Sequence, residues 1–221
     1  GDIFSLTVLL AVITITATSY LMKFEKRIFN SISKYLNPLD IAATPEHLQY
    51  LPEELEYDFL LIGYDRIGYG IFRMLEKAKK SFLVIDFNPD IIRRLAGKKI
   101  PCIYGDIGDE EILERLDLCK TEFVVSTVPD VDDNKRIIKK IKKENPKARI
   151  FVTASVIEEA LELYKEGADY VILPHFLGGE RVSSLIEAVD KDPKKADIAK
   201  LAHIHDLRSR AELEHEHPRD V

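Results

Sequence analysis

Tryptophan is absent from this chain of 221 residues, and cysteine nearly so: Cys102 and Cys119 stand alone, with no CxxC. Two such thiols form neither a disulfide framework nor a zinc ribbon. The expected state is two reduced, packed thiols in a reducing compartment. Proline and glycine number ten each, too few for a collagen-like or low-complexity chain. A basic surplus is also missing. Against 38 Asp and Glu there are 32 Lys and Arg, for a net charge of −6 and a pI near 5.6. A dedicated nucleic-acid binder carries a basic face, so nucleic acid is not an expected partner. The charged fraction of 32% excludes a wholly membrane-embedded chain, and the hydrophobic fraction of 46% excludes a wholly disordered one.

What is present is unevenly spread. Ile3 to Met22 runs 20 residues without a charge, IFSLTVLLAVITITATSYLM. As a helix this segment spans roughly 30 Å, one hydrocarbon core. It is rich in Thr and Ser, which suits a helix packed among other membrane helices better than a lone anchor in lipid. A signal peptide puts its basic residues before the apolar stretch. Here the start is Gly1-Asp2, without Met, and the basic residues Lys23, Lys26 and Arg27 follow. A true membrane helix is therefore expected, with further membrane helices upstream of it. The positive-inside rule places residues after about 22 in the cytoplasm, on an integral protein of the cell membrane. Phe24, Ile28, Phe29, Ile32, Tyr35 and Leu36 continue at helical spacing and predict an extension lying at the headgroups. Residues 1–36 thus form the membrane segment. Pro38, Pro45 and Pro52 make residues 37–56 a linker, with a short helical turn expected near Pro45–Leu51.

From Tyr57 the pattern changes. The apolar runs YDFLLIG, FLVID, IPCIY, FVVST, RIFVT and DYVIL alternate with amphipathic stretches at Ile67–Lys79, Pro89–Ala96, Glu110–Leu116, Asp132–Lys142 and Val156–Glu166. Apolar strands separated by helices predict a parallel sheet covered on both faces. The expected fold over residues 57–190 is α/β, a Rossmann-like doubly wound parallel sheet of about six strands. Ligands of such sheets bind at the carboxyl ends of the strands.

The segments after the first four strands are therefore the candidates. Gly63-Tyr64-Asp65-Arg66-Ile67-Gly68 follows the first, Asp86-Phe87 the second, Gly105-Asp106-Ile107 the third, and Thr127-Val128-Pro129 the fourth after Ser126. Gly63 suits a tight strand-to-helix turn, and Gly68 suits close packing of the helix on the sheet. The dinucleotide fingerprint wants a second glycine between them, where backbone N–H groups meet a pyrophosphate; this chain has Asp65. A carboxylate repels phosphate unless compensated, and Arg66 is beside it. Asp86 lies about 20 residues on, where an acid binds a ribose hydroxyl. Asp106 either contacts an adenosine or caps the helix near Glu110. Thr127 and Pro129 either floor a pocket or form a plain turn. Asp132, Asp133 and Asn134 read as N-terminal caps of their helix. The ligand is left open between a dinucleotide and AMP, ADP or ATP. Leu177-Gly178-Gly179-Glu180-Arg181 is expected to open the helix after the last strand.

The remaining residues 191–221 read as a polar tail. Ile198, Leu201, Ile204, Leu207 and Ala211 give it a weak helical stripe, suited to a solvated or partner-binding helix. His203 and His205, like His215 and His217, are two apart and do not share a helical face, so no metal site is expected. No Tyr-x-x-x-Lys pair occurs, and the tail is too short for a substrate domain, which argues against a dehydrogenase.

The runs LLIGYDRIGYGIFRML, FLVIDFNPDIIRRL, IPCIYGDIGDEEIL, FVVSTVPDVDDN and ADYVILPHFLGGERV resemble the domain that regulates potassium conductance (RCK or KTN), with its TrkA-N nucleotide-binding part. Together with ITITATSYLMKFEKRIF they resemble the C-terminal part of a monovalent cation:proton antiporter of the Kef type. That resemblance implies a non-catalytic cytoplasmic gating domain that binds NAD(H) or an adenine mononucleotide and pairs as a homodimer. Its other partners are membrane lipid and the remaining antiporter helices. It carries the glycine turn onto Gly63, Asp65 and Gly68, the strand-end acid onto Asp86, and the Gly-Asp pair onto Gly105 and Asp106. Asp65 departs from the family pattern and leaves the nucleotide's identity open. The alternative is the same domain on a ligand-gated potassium channel, which needs a filter sequence such as TVGYG upstream.

Overall fold

The computed structural model describes residues 2–23, 49–52 and 56–212. The chain forms two compact units, residues 1–47 and 48–221. The headgroup extension, most of the linker and the last nine residues lie outside the described part; of the helical turn expected near Pro45–Leu51, residues 49–51 are described and are not helical.

In the first unit, α1 (Asp2–Lys23) is one continuous helix. Its stretch Phe4–Lys23 is long and apolar enough to cross a membrane. The hydroxyls do not break it, because they bond within it. Thr14 Oγ1 donates to the Leu10 carbonyl at 2.9 Å, Thr16 Oγ1 to Val12 at 2.7 Å, and Ser19 Oγ to Ile15 at 2.9 Å.

The second unit is built in strand–helix steps: β1 (Phe59–Ile62), α2 (Ile67–Lys77), β2 (Phe82–Asp86), α3 (Pro89–Gly97), β3 (Cys102–Tyr104), α4 (Glu110–Glu114), β4 (Phe123–Ser126), α5 (Val131–Glu144), β5 (Arg149–Thr153), α6 (Ile157–Glu166) and β6 (Tyr170–Ile172). All neighbouring strands pair in parallel, in the order β3-β2-β1-β4-β5-β6. This is the doubly wound sheet expected, with its strand order reversing between β1 and β4.

Alternation along the strands distributes the core between two faces. Leu60 and Ile62 of β1 pack with Ile137, Ile138 and Ile141 of α5 and Leu163 of α6. Leu61, between them, points the other way, toward Phe72 of α2 and Ile92 and Leu95 of α3. Ile138 is 0% exposed, and truncation to alanine is expected to cost about 3 kcal/mol, measurable by urea unfolding.

Helix starts follow from short polar side chains. Asn88 accepts from the Asp90 N–H ahead of Pro89, and Asp109 accepts from the Glu111 N–H. At α5 the cap is Asp130, which accepts from both Asp132 and Asp133 N–H, so the expected capping by residues 132–134 is corrected. Asp132 and Asp133 occupy the first turn, where the helix dipole favours them. Asn134 is buried and spans from the Val128 carbonyl to the Thr153 carbonyl, tying the β4 turn to β5.

The thiols also differ from expectation: Cys102 is buried but Cys119 is exposed. Tyr50 pairs with Cys102 in an antiparallel bridge, so the end of the linker extends the sheet edge at β3. After β6 comes α7 (Pro174–Lys191), started by Pro174 in its first turn. Gly178 and Gly179 therefore lie inside this helix and do not open it. The last helix among the described residues is α8 (Lys194–Glu212), formed from the polar tail.

Candidate functional site

Strand β1 leads into the turn at the point where the strand order reverses. Gly63 takes φ +83°, a conformation side chains disfavour, and its N–H donates to the Ile85 carbonyl at 2.8 Å. A Cβ on Gly63 would meet Thr127 Oγ1 at 2.3 Å, and a Cβ on Gly68 would meet the Gly63 carbonyl oxygen at 2.0 Å. Both glycines are thus required sterically, the second because α2 starts directly against the end of β1. Thr127 seals the turn from β4, its hydroxyl 3.1 Å from the Gly63 oxygen and 3.2 Å from the Ile62 oxygen.

Asp86 joins the turn to β2. It accepts from the Tyr64 N–H at 2.7 Å and from the Asn88 N–H at 2.8 Å, and it is 6% exposed. Burial pushes its carboxyl above the ordinary carboxylate range, and the two N–H groups oppose that shift. Each oxygen keeps a second lone pair for a ligand hydroxyl. Phe87 beside it is exposed.

Asp65 stands at the mouth of α2. Its Oδ1 accepts from the Arg66 N–H at 2.8 Å, and its Oδ2 lies 3.9 Å from Arg66 Nε. The carboxylate therefore occupies a donor where a phosphate oxygen would otherwise be received. Arg66 itself takes φ 48° and ψ −95°, a strained conformation for a residue with a side chain.

Other candidates divide by where their side chains go. Tyr64 contributes only its backbone; its ring packs on Tyr69 and Phe72, and burial pushes its hydroxyl up to about 12. Ile107 is buried in the core, while Ile67 and Val128 are half-buried against it. Asp106 accepts from the Gly108 N–H at 2.9 Å, and because Asp109 caps α4, the capping alternative for Asp106 is removed. Pro129 is exposed at the end of β4. The structure thus gathers Gly63, Asp65, Arg66, Gly68, Asp86 and Thr127 around one turn. Sequence reasoning missed Tyr69, Arg73, Asp206, Ser209 and Arg210, which join α8 to α2 beside it. The stripe on residues 198–211 marked a helix, but not where it docks.

A switch-point turn with two obligatory glycines, a helix N-terminus and a buried strand-end acid defines a Rossmann-like domain. Residues 59–174 match the model of the TrkA-N domain, and the chain belongs to that family. It is 27% identical over 135 residues to potassium channel protein 1 of Methanocaldococcus jannaschii, covering 60% of this chain and 40% of the relative. It is 24% identical over 158 residues to the chloroplastic K(+) efflux antiporter 2 of Arabidopsis thaliana, covering 72% of this chain and 13% of the relative. The chain thus spans well under two thirds of the length of these relatives. Among solved structures, the NAD(P)-binding domain of an exopolyphosphatase-related protein from Archaeoglobus fulgidus superposes with a TM-score of 0.54. That pair is 25% identical, over 60% of this chain and 99% of the other.

Proposed function

We propose that this chain is the nucleotide-sensing end of a membrane cation:proton antiporter carrying potassium or sodium. In this reading α1 spans the cell membrane among further antiporter helices and lipid, and the residues after it are cytoplasmic. The Rossmann-like domain binds NAD(H) or an adenine mononucleotide, pairs with a second copy and gates transport without catalysing a reaction. The observation that carries the reading is the glycine turn, with Asp86 held at the adjacent strand end. The strand-end acid receives ribose hydroxyls, and the mouth of α2 receives phosphate. The NAD(P)-binding domain superposed above supports the ligand class. The antiporter assignment is supported by the Arabidopsis relative, aligned over 72% of this chain, and by the membrane-length helix α1. Gating follows if the nucleotide prefers one arrangement of the domain over another.

The test is flux in proteoliposomes holding the gene's full product. A potassium gradient is expected to drive proton uptake, at a rate that changes when NADH or AMP is added. The channel relative supports a second reading, nucleotide-gated potassium current without proton counterflow, and that result would replace the antiporter assignment.

Binding is also expected to depend on pH through Asp86. Its ionised form accepts ribose hydroxyls, and burial raises its pKa, so affinity falls with acidification at a pH above the ordinary carboxylate range. Ligand titrations across pH with Asp86→Asn alongside check this: the variant's affinity should be lower and its profile flat. The same shift has the opposite sign for folding. The unfolded chain releases this proton at lower pH, so the acid's contribution to stability declines as pH rises toward its folded value.

A further inference from the structure

Helix α8 returns to α2 and meets it through polar side chains. Asp206 receives Arg73 Nη1 at 2.6 Å and Arg210 Nε at 2.9 Å. Ser209 Oγ lies 3.2 Å from the Tyr69 hydroxyl, and the Arg210 guanidinium carbon lies 5.1 Å from the centre of the Tyr69 ring. Arg210 Nη1 then donates to the carbonyl of Arg66 at 3.1 Å. The Arg210 guanidinium passes close to Gly70, where a Cβ would lie 3.7 Å from Nη2, in ordinary van der Waals contact.

The acceptor's position gives this contact its meaning. Arg66 is the last residue of the glycine turn before α2 begins, and its φ of 48° is strained. Asp65 holds its N–H and Arg210 holds its carbonyl, so one strained residue is gripped at both ends, once from within the turn and once from the C-terminal helix. The Arg210 side chain is only 29% exposed and brings a positive charge to a turn that Asp65 makes less hospitable to phosphate. Apolar burial does little to hold α8, because Ile198, Leu201 and Leu207 are 66%, 68% and 50% exposed. The helix rests chiefly on the polar clasp, so a modest free energy at the turn can bias its docking.

We propose that Arg210 is a positioning residue of the phosphate-binding turn and that docking of α8 through it is coupled to nucleotide occupancy. The proposal rests on the nucleotide reading above. Docking fixes Arg66 in the geometry that receives phosphate and offsets Asp65, so it strengthens binding; by reciprocity, bound nucleotide tightens α8 onto α2. The C-terminal helix is then the moving part that reports the state of the site.

The experiment uses the full chain in detergent, with NADH and AMP titrated in parallel by calorimetry and backbone hydrogen exchange followed over α8. In the wild type, either nucleotide is expected to slow exchange in α8. Arg210→Ala should weaken binding about tenfold and abolish the slowing, with Arg210→Lys recovering part of both. Asp206→Asn, which removes a carboxylate shared by Arg73 and Arg210, should shift affinity in the same direction. Unchanged affinity in Arg210→Ala overturns the coupling and leaves the nucleotide reading standing. So does α8 exchange that is indifferent to bound nucleotide in the wild type, or a loss that lysine does not relieve. A wild-type chain that binds neither nucleotide overturns the nucleotide reading, and the coupling falls with it.

Discussion

Replacing Gly68 by alanine is expected to destabilise the α/β unit by about 3 kcal/mol or more and to weaken nucleotide binding by about a hundredfold. The added Cβ would sit 2.0 Å from the Gly63 oxygen and 2.9 Å from its carbonyl carbon. Both are backbone atoms, so no side chain can swing aside. Relief requires α2 to withdraw from the end of β1, which also carries away the donors at its N-terminus. Gly178→Ala is the control. A Cβ at Gly178 meets nothing within 4 Å on α7, so that change should be neutral or stabilising by up to about 1 kcal/mol. Thermal unfolding of the two variants separates a steric requirement at Gly68 from a general cost of removing glycine. An unchanged midpoint for Gly68→Ala would contradict the turn geometry.

Asp65→Gly is expected to act in the opposite direction, raising affinity for NADH or AMP by about tenfold. The wild-type carboxylate occupies the Arg66 N–H and adds a negative charge where phosphate would approach. Removing it leaves that N–H and the Arg66 side chain available to the ligand. The carboxylate is 44% exposed, so the gain is much smaller than for a buried like-charge pair and should shrink as salt is added. Calorimetry at low and high ionic strength checks both points. Weaker binding by Asp65→Gly would contradict this and mean that the carboxylate serves binding, through its hold on the Arg66 N–H or on the ligand.

The sheet was legible because its signal is repeated. Each strand is a short apolar run, and each helix carries its apolar residues at helical spacing, so residues such as Leu61, Val84 and Val125 announce a two-sided core. The turn was legible where glycine is a steric necessity, at Gly63 and Gly68, and where an acid ends a strand, at Asp86. Capping was less so. Asp130, Asp132 and Asp133 are chemically equivalent as letters, and the start of α5 depends on which of them adopts extended backbone. Tyr64 and Ile107 sit among candidate ligand contacts in sequence, yet the alternation of the chain turns their side chains into the core. The clasp between Arg210 and Arg66 was not legible, because its partners are 144 residues apart and α8 has too weak an apolar face to say what it packs against.

Titration of NAD, NADH, AMP, ADP and ATP into the purified chain by calorimetry tests most directly whether this glycine turn receives a nucleotide. Saturable one-to-one binding of at least one of them, weakened in both Gly68→Ala and Asp86→Asn, is the expected result. Heats indistinguishable from dilution for all of them, up to about millimolar concentration, would contradict it.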